Sequence, residues 1–324
     1  MIPYSFGIYG ISGNLLFYNS AGRSFKNRLL QEGYKLTEEM HEMDFLVCVD
    51  SPVGGFKLFK QKDLRKVKKI FIRMEPEVVW PYNSNPNLNE IFDIVIDFGR
   101  IPNDQRITEK WPQEWHNLQL SNPLEGSLVN KVVLINSNKI SLIKGELYSL
   151  RRDCIRNFPE VDFYGKDWDL NFGKRVLIFL RTFKFSLRFI RKIKFEGIAS
   201  WFLIKKNNCE IVDKFTILKE YKYSLVIENS LEVMTEKIFD CFFSSTIPIY
   251  VGPDLNLLGI PPNLYIQCGP SISEIQLAFQ KAKLIDYNEW VESLNSWINS
   301  TETRGIWGSE SILDKFVHAL TKLH

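Results

Sequence analysis

Short runs of β-branched and aromatic residues alternate along this chain with segments of helical periodicity. In the first half, "SFGIYG", "DFLVCV", "KIFIRM" and "FDIVIDF" predict strands, and in the second half "KVVLINS", "VDFYG", "YSLVIEN" and "IPIYVG" predict four more. Strands that alternate with helices are typical of parallel sheets covered by helices. The pattern therefore predicts an α/β fold.

Capping residues mark where the helices begin and end. Ser20 can cap a helix that continues to about Glu32, where Gly33 ends it. The other predicted helices cover 141–157, 235–245 and much of the chain from residue 271 onward.

A segment rich in Pro, Asn, Gly and Ser, "WPQEWHNLQLSNPLEGS", interrupts the alternation at 111–127. The 324 residues are also about twice the length of a typical domain. We therefore expect two domains, 1–125 and 126–324, with a linker near 120–130.

Composition narrows the class of protein. An apolar content of 45% excludes a disordered chain, and the five cysteines form no CxxC pair, which indicates buried thiols in a reducing compartment. The N-terminus has no signal-peptide pattern, and no run reaches the roughly 18 apolar residues of a membrane span. These features predict a cytoplasmic protein.

A polar cluster, "ENSLEVMTEK" at 228–237, separates two apolar runs. Glu228 and Asn229 are predicted at the end of a strand, and Thr235, Glu236 and Lys237 open the next helix. Ligands of open α/β sheets bind at carboxyl strand ends, where helix N-termini attract phosphate. A lysine is unfavourable at a helix N-terminus, where the helix dipole is positive. A bound phosphate would offset this cost. A capping threonine beside a solvated lysine is the alternative.

The blocks "YKYSLVIENS", "TEK" and "IPIYVGP", in that order over 221–253, resemble the donor-binding signature of the family-10 α-1,3/4-fucosyltransferases. "KKIFIRMEPEVVWPYNSNPNLNEIFDIVIDF" is similar to that family's N-terminal segment. The resemblance implies a GT-B fold, with two Rossmann-like domains whose parallel sheets face each other across a cleft. The donor would bind the second domain and the acceptor would face it from the first.

The resemblance also implies roles for the cluster. Glu236 would hold the donor ribose and Lys237 the pyrophosphate, with Asn229 and its neighbour Glu228 at the donor pocket. The family's loop before the Glu is usually two residues longer than "SLEVMT", and its common tyrosine is Val233 here. Two donors therefore remain as alternatives, GDP-fucose and another GDP-deoxysugar.

The family has a phosphate-binding arginine at the start of the first helix of the second domain. Lys144 stands at the matching position, and Arg151 and Arg152 follow two turns later. A lysine supplies the charge without the bidentate fork of an arginine. Lys144, Arg151 and Arg152 all remain candidates for the diphosphate.

Sugar transfer with inversion needs a base for the acceptor hydroxyl and positive charge for the departing diphosphate. Glu75 in "RMEPE" matches the family's proposed base, and Lys237 with Lys144 would stabilise the leaving group. Glu77 is the second candidate base. Without the resemblance, a carboxylate beside a proline at a strand end is more often a solvated turn.

No cofactor or essential metal is expected, and GDP-fucose enters as a substrate. "DWD" at 167–169 has the spacing that binds manganese in the other main glycosyltransferase fold, but it follows "VDFYG" where the family has a turn. The four histidines are far apart in sequence, and the pattern GxxxxGK[ST] is absent.

A basic segment, "GKRVLIFLRTFKFSLRFIRKIKF" at 173–195, lies outside the family signature. On a helix its cations share an arc of about 100° and its apolar residues lie elsewhere, which suits a helix on an anionic membrane surface. A core helix with a solvated basic stripe fits equally well. The aromatic residues of the segment lie on the apolar side and not among the cations, which argues against nucleic-acid binding. The cations are Lys174, Arg181, Lys184, Arg188, Arg191 and Lys192.

The sequence thus predicts an inverting glycosyltransferase that moves fucose from GDP-fucose to a hydroxyl of a cell-surface glycan. The basic segment and a second run, "KLFKQKDLRKVKK" at 57–69, suit a lipid-linked acceptor and peripheral contact with the inner face of the membrane. A glycan- or nucleotide-binding protein with lapsed catalysis is the non-enzyme alternative. The presence of Glu75, Glu236 and Lys237 argues against it.

Overall fold

The structure is a computed structural model, and its description covers most of the second half of the chain and several stretches of the first. The described residues are 5–9, 27–37, 39, 42–52, 66–84, 87–102, 107–110, 113, 128–195, 197–204, 213–308 and 314. The predicted cap at Ser20 and the basic run at 57–65 lie outside them.

The chain forms two compact units, residues 1–115 with 304–324, and residues 116–303. The boundary predicted between residues 125 and 126 lies outside the described residues. The C-terminal residues were predicted in the second domain, whereas from Arg304 onward they group with the first unit. The helix Thr301–Trp307 carries the chain between the units.

The first unit contains a six-stranded parallel sheet in the order β2-β1-β3-β4-β5-β6. All four strands predicted in this half are confirmed. The two additional strands have only two and three residues, too few for a periodic signal. The strands are β1 Ser5–Tyr9, β2 Lys35–Leu36, β3 Phe45–Val49, β4 Lys68–Arg73, β5 Ile94–Phe98 and β6 Ile107–Glu109, with a short helix α1 at Leu88–Ile91.

Both faces of this sheet are buried. Phe45 and Val47 of β3 belong to one hydrophobic cluster, and Leu46 and Cys48 belong to another. Successive strand residues point to opposite faces, so both sides of β3 are covered. Burial on both faces explains why the strands of this chain read as continuous apolar runs.

The second unit contains a five-stranded parallel sheet in the order β11-β10-β9-β7-β8. The four strands predicted here are confirmed as β7 Val129–Ile135, β8 Asp162–Tyr164, β9 Tyr221–Ile227 and β10 Ile247–Val251, and β11 Ile266–Gln267 is additional. The helices of this part of the chain are α2 Tyr148–Asn157, α3 Phe172–Ser186, α4 Ile198–Leu203, α5 Lys214–Leu218, α6 Lys237–Phe243, α7 Ile272–Ala282, α8 Tyr287–Ile298 and α9 Thr301–Trp307.

Two predicted helices are shorter than expected. α2 begins at Tyr148 instead of residue 141, because Gly145 has a φ of +88° that a helix does not allow. Leu147 is the N-cap residue, and the preceding Glu146 carboxylate accepts from the backbone N–H of Ser149 in the first turn at 3.0 Å. α6 begins at Lys237 and not at Thr235.

Candidate functional site

The polar cluster 228–237 lies where the strand order of the second sheet reverses. The chain passes from β7 to β8 on one side and then crosses to β9 on the other side of β7. Such a switch point, at the carboxyl ends of the strands, is where open α/β sheets bind ligands. The backbone N–H of Leu147, in the segment after β7, donates to the carbonyl of Asn229 at 3.0 Å, which holds the two segments together at this point.

Glu228 is the buried centre of the cluster. Its carboxylate accepts from the backbone N–H of Thr235 at 2.8 Å, the Thr235 hydroxyl at 2.9 Å, the Lys237 ammonium at 2.8 Å and the Tyr250 hydroxyl at 3.4 Å. The side chain is fully buried. Glu228 therefore positions Thr235 and Lys237 and presents no surface to a ligand.

Lys237 contacts both Glu228 and the Thr235 hydroxyl at 2.8 Å, and 21% of its side chain is exposed. An ammonium has three N–H donors. Two are directed at these partners, so one remains for water or an anion. The alternative of a capping threonine beside a solvated lysine is wrong, since Thr235 binds Glu228 and caps no helix, and the lysine is paired. The phosphate alternative stays a prediction.

Glu236 precedes this lysine and is half-buried. Burial raises the pKa of its carboxyl, but the cations Lys237, Lys214 and Lys139 and a backbone hydrogen bond outweigh burial and lower the pKa below its usual value. An ionised carboxylate at a strand end can accept hydrogen bonds from hydroxyl groups of a ligand. Lys139 and Lys214 were not predicted as part of the site, because they precede Glu236 by 97 and 22 residues along the chain.

Arg151 supports the turn after β9. Its Nη2 atom donates to three oxygens, the carbonyls of Ile227 at 2.8 Å and Glu228 at 2.9 Å and Oδ1 of Asn229 at 3.0 Å. The side chain is buried, and burial lowers the pKa of its guanidinium. This geometry favours a structural role for Arg151.

The other two diphosphate candidates differ in accessibility. Arg152 is buried and donates to the carbonyls of Lys139 and Gly197 and to the Ser200 hydroxyl. Lys144 lies in the exposed turn before α2. Of the three candidates, Lys144 alone has a side chain accessible to a ligand.

Asp240, in α6, forms an ion pair with Lys214 at 2.6 Å. Burial raises the pKa of this carboxyl to about 6, although Lys214 acts in the opposite direction. The folded protein therefore holds the Asp240 proton up to about pH 6, whereas an unfolded chain releases it near pH 4. This carboxyl stabilises the fold increasingly as pH falls from 7 towards 4, and the contribution is lost as pH rises through 6.

We expect the wild-type protein to gain about 1 kcal/mol of unfolding free energy from Asp240 between pH 7 and pH 5. Because other carboxylates titrate in the same range, the measurement is the difference between wild type and Asp240→Asn in urea unfolding at both pH values. A difference that does not change with pH would contradict the raised pKa.

In the first unit, Glu75 follows β4, and its backbone is held on both sides. Its N–H donates to Oδ1 of Asp50 at 3.1 Å, and its carbonyl accepts from Nδ2 of Asn83 at 2.9 Å and from Nη2 of Arg100 at 3.3 Å. Asp50 is buried after β3 and also accepts from the backbone N–H of Met74 at 3.0 Å. The side chain of Glu75 is half-buried, on a backbone that neighbouring residues fix.

The same strand ends carry a buried ion pair. Arg73 and Asp97 are register partners on β4 and β5, and Nε of Arg73 donates to Oδ1 of Asp97 at 2.7 Å.

Burial raises the pKa of the Asp50 carboxyl, although its hydrogen bonds and the nearby cation Arg100 act in the opposite direction. Asp50 was not predicted as part of this site, although it lies directly after a predicted strand.

The "DWD" segment forms a bend after β8. Asp167 and Asp169 are exposed, but Trp168 between them is buried and donates its Nε1–H to the carbonyl of Asn136 at 2.7 Å. Asp167 has a φ of +68°. Within the described residues, no group of three or more His, Cys, Asp and Glu side chains could hold a metal ion.

The basic segment is a helix only over its first part. α3 ends at Ser186, and residues 187–192 form a 3-10 segment with a non-helical φ of −122° at Phe189. Arg181, Lys184 and Arg191 are exposed and Lys192 is half-buried. The side chain of Arg188 lies outside the described residues.

Comparisons with known proteins identify the fold. No protein-family model matches the chain, and no curated protein matches its sequence. A crystal structure of an α1,3-fucosyltransferase is similar, with a TM-score of 0.57, 16% identity and coverage of 98% of this chain and 90% of that chain. An α1,3-fucosyltransferase structure with GDP has a TM-score of 0.51, 14% identity and coverage of 90% and 82%.

Anabaena HepE, in complex with UDP and glucose, is similar with a TM-score of 0.53 and 10% identity, over 98% of this chain and 100% of that chain. These structures share a GT-B glycosyltransferase fold. The chain therefore has the GT-B fold that the resemblance implied. The nucleotides in the similar structures differ, so the fold by itself assigns no donor to this chain.

Proposed function

We propose that this protein is an inverting glycosyltransferase that transfers fucose from GDP-fucose to a hydroxyl of a cell-surface glycan. The proposal is supported by the GT-B fold and by the motif resemblance at 221–253. One of the similar α1,3-fucosyltransferase structures contains GDP.

The observation that carries the proposal is the pairing of a carboxylate and a cation at the switch point of the second sheet. Glu236 has a lowered pKa, and Lys237 retains one N–H donor for an anion. An ionised carboxylate fits the hydroxyls of a ribose, and an ammonium fits a diphosphate. These are the two chemical groups that every nucleoside-diphosphate sugar offers.

In this proposal Lys237 stabilises the diphosphate as it leaves, and exposed Lys144 adds a second positive charge. Asn229 borders the donor pocket, with Glu228 and Arg151 holding the turn and the lysine in position. Glu75 takes the proton of the acceptor hydroxyl. We propose no resident metal or cofactor for this reaction.

The donor sugar and the acceptor rest on less direct support. Val233 is fully buried, and the loop 230–235 is shorter than in the family that the sequence resembles, so another GDP-deoxysugar is the alternative donor. We place the enzyme in the cytoplasm, on the inner face of the membrane, where glycans under assembly are lipid-linked.

A thermal-shift panel tests the donor class. GDP at 100 times its Kd should stabilise the protein by about 2.7 kcal/mol, because a ligand that binds only the folded state stabilises it by RT ln(1 + [L]/Kd). UDP and CMP at the same concentrations should produce no shift. GDP-fucose should also be hydrolysed or transferred slowly with a poor acceptor.

Equal shifts with GDP and UDP would contradict the GDP-sugar assignment and keep only the glycosyltransferase class. A GDP shift without any turnover of GDP-fucose would favour another GDP-deoxysugar donor or the binding protein with lapsed catalysis. Turnover of a second GDP-deoxysugar distinguishes these two.

A further inference from the structure

One side of α3 is exposed to solvent and combines leucines with cations. We call this surface the outer face; on an ideal helix its residues fall within an arc of about 120°. Leu177 and Leu180 are 60% and 54% exposed. The outer face consists of Lys174, Leu177, Leu180, Arg181 and Lys184, all of them exposed.

The opposite side of α3 fixes this orientation. Arg175 is buried and donates to the backbone carbonyls of Leu170, Trp168 and Trp201. Phe179 packs against Phe202 of α4 at a ring-centroid distance of 5.7 Å. Because these contacts hold the inner side of the helix in the protein, Leu177 and Leu180 stay in solvent.

The charge within α3 and the segment that follows it has one sign, whereas exposed Asp167 and Asp169 lie in the bend before the helix. Between Leu170 and Phe195 the chain has eight basic residues and no acidic residue. Arg175 is buried and Lys194 forms an ion pair with Glu146 at 3.1 Å, so these two are not part of the exposed surface. The outer face itself contributes three cations.

Exposed leucines among cations match the chemistry of a bilayer interface. Apolar side chains enter the boundary between headgroups and acyl chains, and lysine and arginine pair with anionic headgroups. An acidic protein or a nucleic acid would use the cations but would give the leucines less apolar area. Among the described residues, no helix is long and apolar enough to span a bilayer.

We propose that the outer face of α3 docks the protein on an anionic lipid surface. The segment after the helix connects this surface to the candidate donor site within the same unit. The N–H of Lys194 donates to the carbonyl of Leu142 at 2.7 Å, the N–H of Lys144 donates to the carbonyl of Lys192 at 2.8 Å, and Leu147 in turn binds Asn229. These hydrogen bonds between the docking surface and the candidate donor site favour a lipid-linked acceptor, an inference that rests on the proposed function.

Vesicle co-sedimentation of the full chain tests the docking surface. The wild type should bind vesicles that contain phosphatidylglycerol and should bind pure phosphatidylcholine far less, with binding that weakens as salt rises. Arg181→Glu with Lys184→Glu should lower the partition onto anionic vesicles by at least about 30-fold. Leu177→Ser with Leu180→Ser should lower it by about 10-fold.

A matched control is Lys281→Glu with Lys283→Glu. These two exposed lysines lie at the C-terminal end of α7, beside exposed Leu284. This control should change vesicle binding less than threefold, and circular dichroism should show that all variants are folded at the temperature of the vesicle assay. Loss of binding in the control equal to that in the α3 variants would show a nonspecific charge effect and overturn the proposal. Failure of the wild-type protein to bind anionic vesicles would also overturn the docking proposal, whether or not the protein binds GDP. An acidic macromolecule would then be the partner expected for the outer face.

Discussion

Glu75→Gln is expected to lower kcat for sugar transfer by about 10²–10⁴, the usual contribution of general acid–base catalysis. Glutamine keeps the size and hydrogen bonding of the side chain but cannot accept the proton of the acceptor hydroxyl. The backbone of Glu75 is held by Asp50, Asn83 and Arg100, so the substitution should leave the strand end in place. The measurement is steady-state turnover of GDP-fucose with an accepted glycan.

Two controls separate chemistry from structure. GDP binding to Glu75→Gln should equal that of the wild type, because the proposal assigns the donor to the other unit. Glu77→Gln should have a much smaller effect on kcat. A dead Glu77→Gln with a nearly normal Glu75→Gln would reassign the base and shift the N-terminal resemblance by two residues. Full activity of both variants would place the base outside this motif.

Lys237→Ala is expected to have two effects. The loss of one hydrogen bond to a charged group should weaken GDP binding by about 1.5–3 kcal/mol. Removal of the ammonium should also deprive the buried Glu228 carboxylate of its direct ion-pair partner, with Arg151 left as a nearby cation, which costs up to about 3–5 kcal/mol of unfolding free energy. Calorimetric titration with GDP and urea unfolding measure the two effects separately.

A second variant removes the ambiguity that the buried carboxylate creates. Lys237→Met with Glu228→Gln removes both charges, keeps Thr235 and Tyr250 within hydrogen-bonding reach of a neutral amide, and should recover most of the lost stability. GDP affinity should remain low in this double variant. Recovery of affinity together with stability would show that Lys237 acts only through the fold. Lys144→Ala should also weaken GDP binding, because the proposal assigns this exposed lysine to the diphosphate, and an unchanged GDP affinity would remove it from that role.

The strand pattern was visible in the sequence because burial on both faces leaves an unbroken apolar run. All eight predicted strands are present in the structure. The strands that were not predicted, β2, β6 and β11, have only two or three residues each. The position of Glu228 and Asn229 at a strand end followed from the same pattern. Asp50 had a comparable signal, as an acidic residue directly after the strand "DFLVCV".

By itself, the sequence therefore determined the α/β class and brought Glu228, Glu236 and Lys237 to one strand end, because local periodicity and chain order are properties of the sequence. Tertiary structure decided the partners. The Lys214–Asp240 pair joins residues separated by 26 positions. The leucines of α3 likewise became exposed only because Arg175 and Phe179 contact α4. A helical period defines an apolar arc, but the packing of neighbouring elements decides which part of that arc meets water.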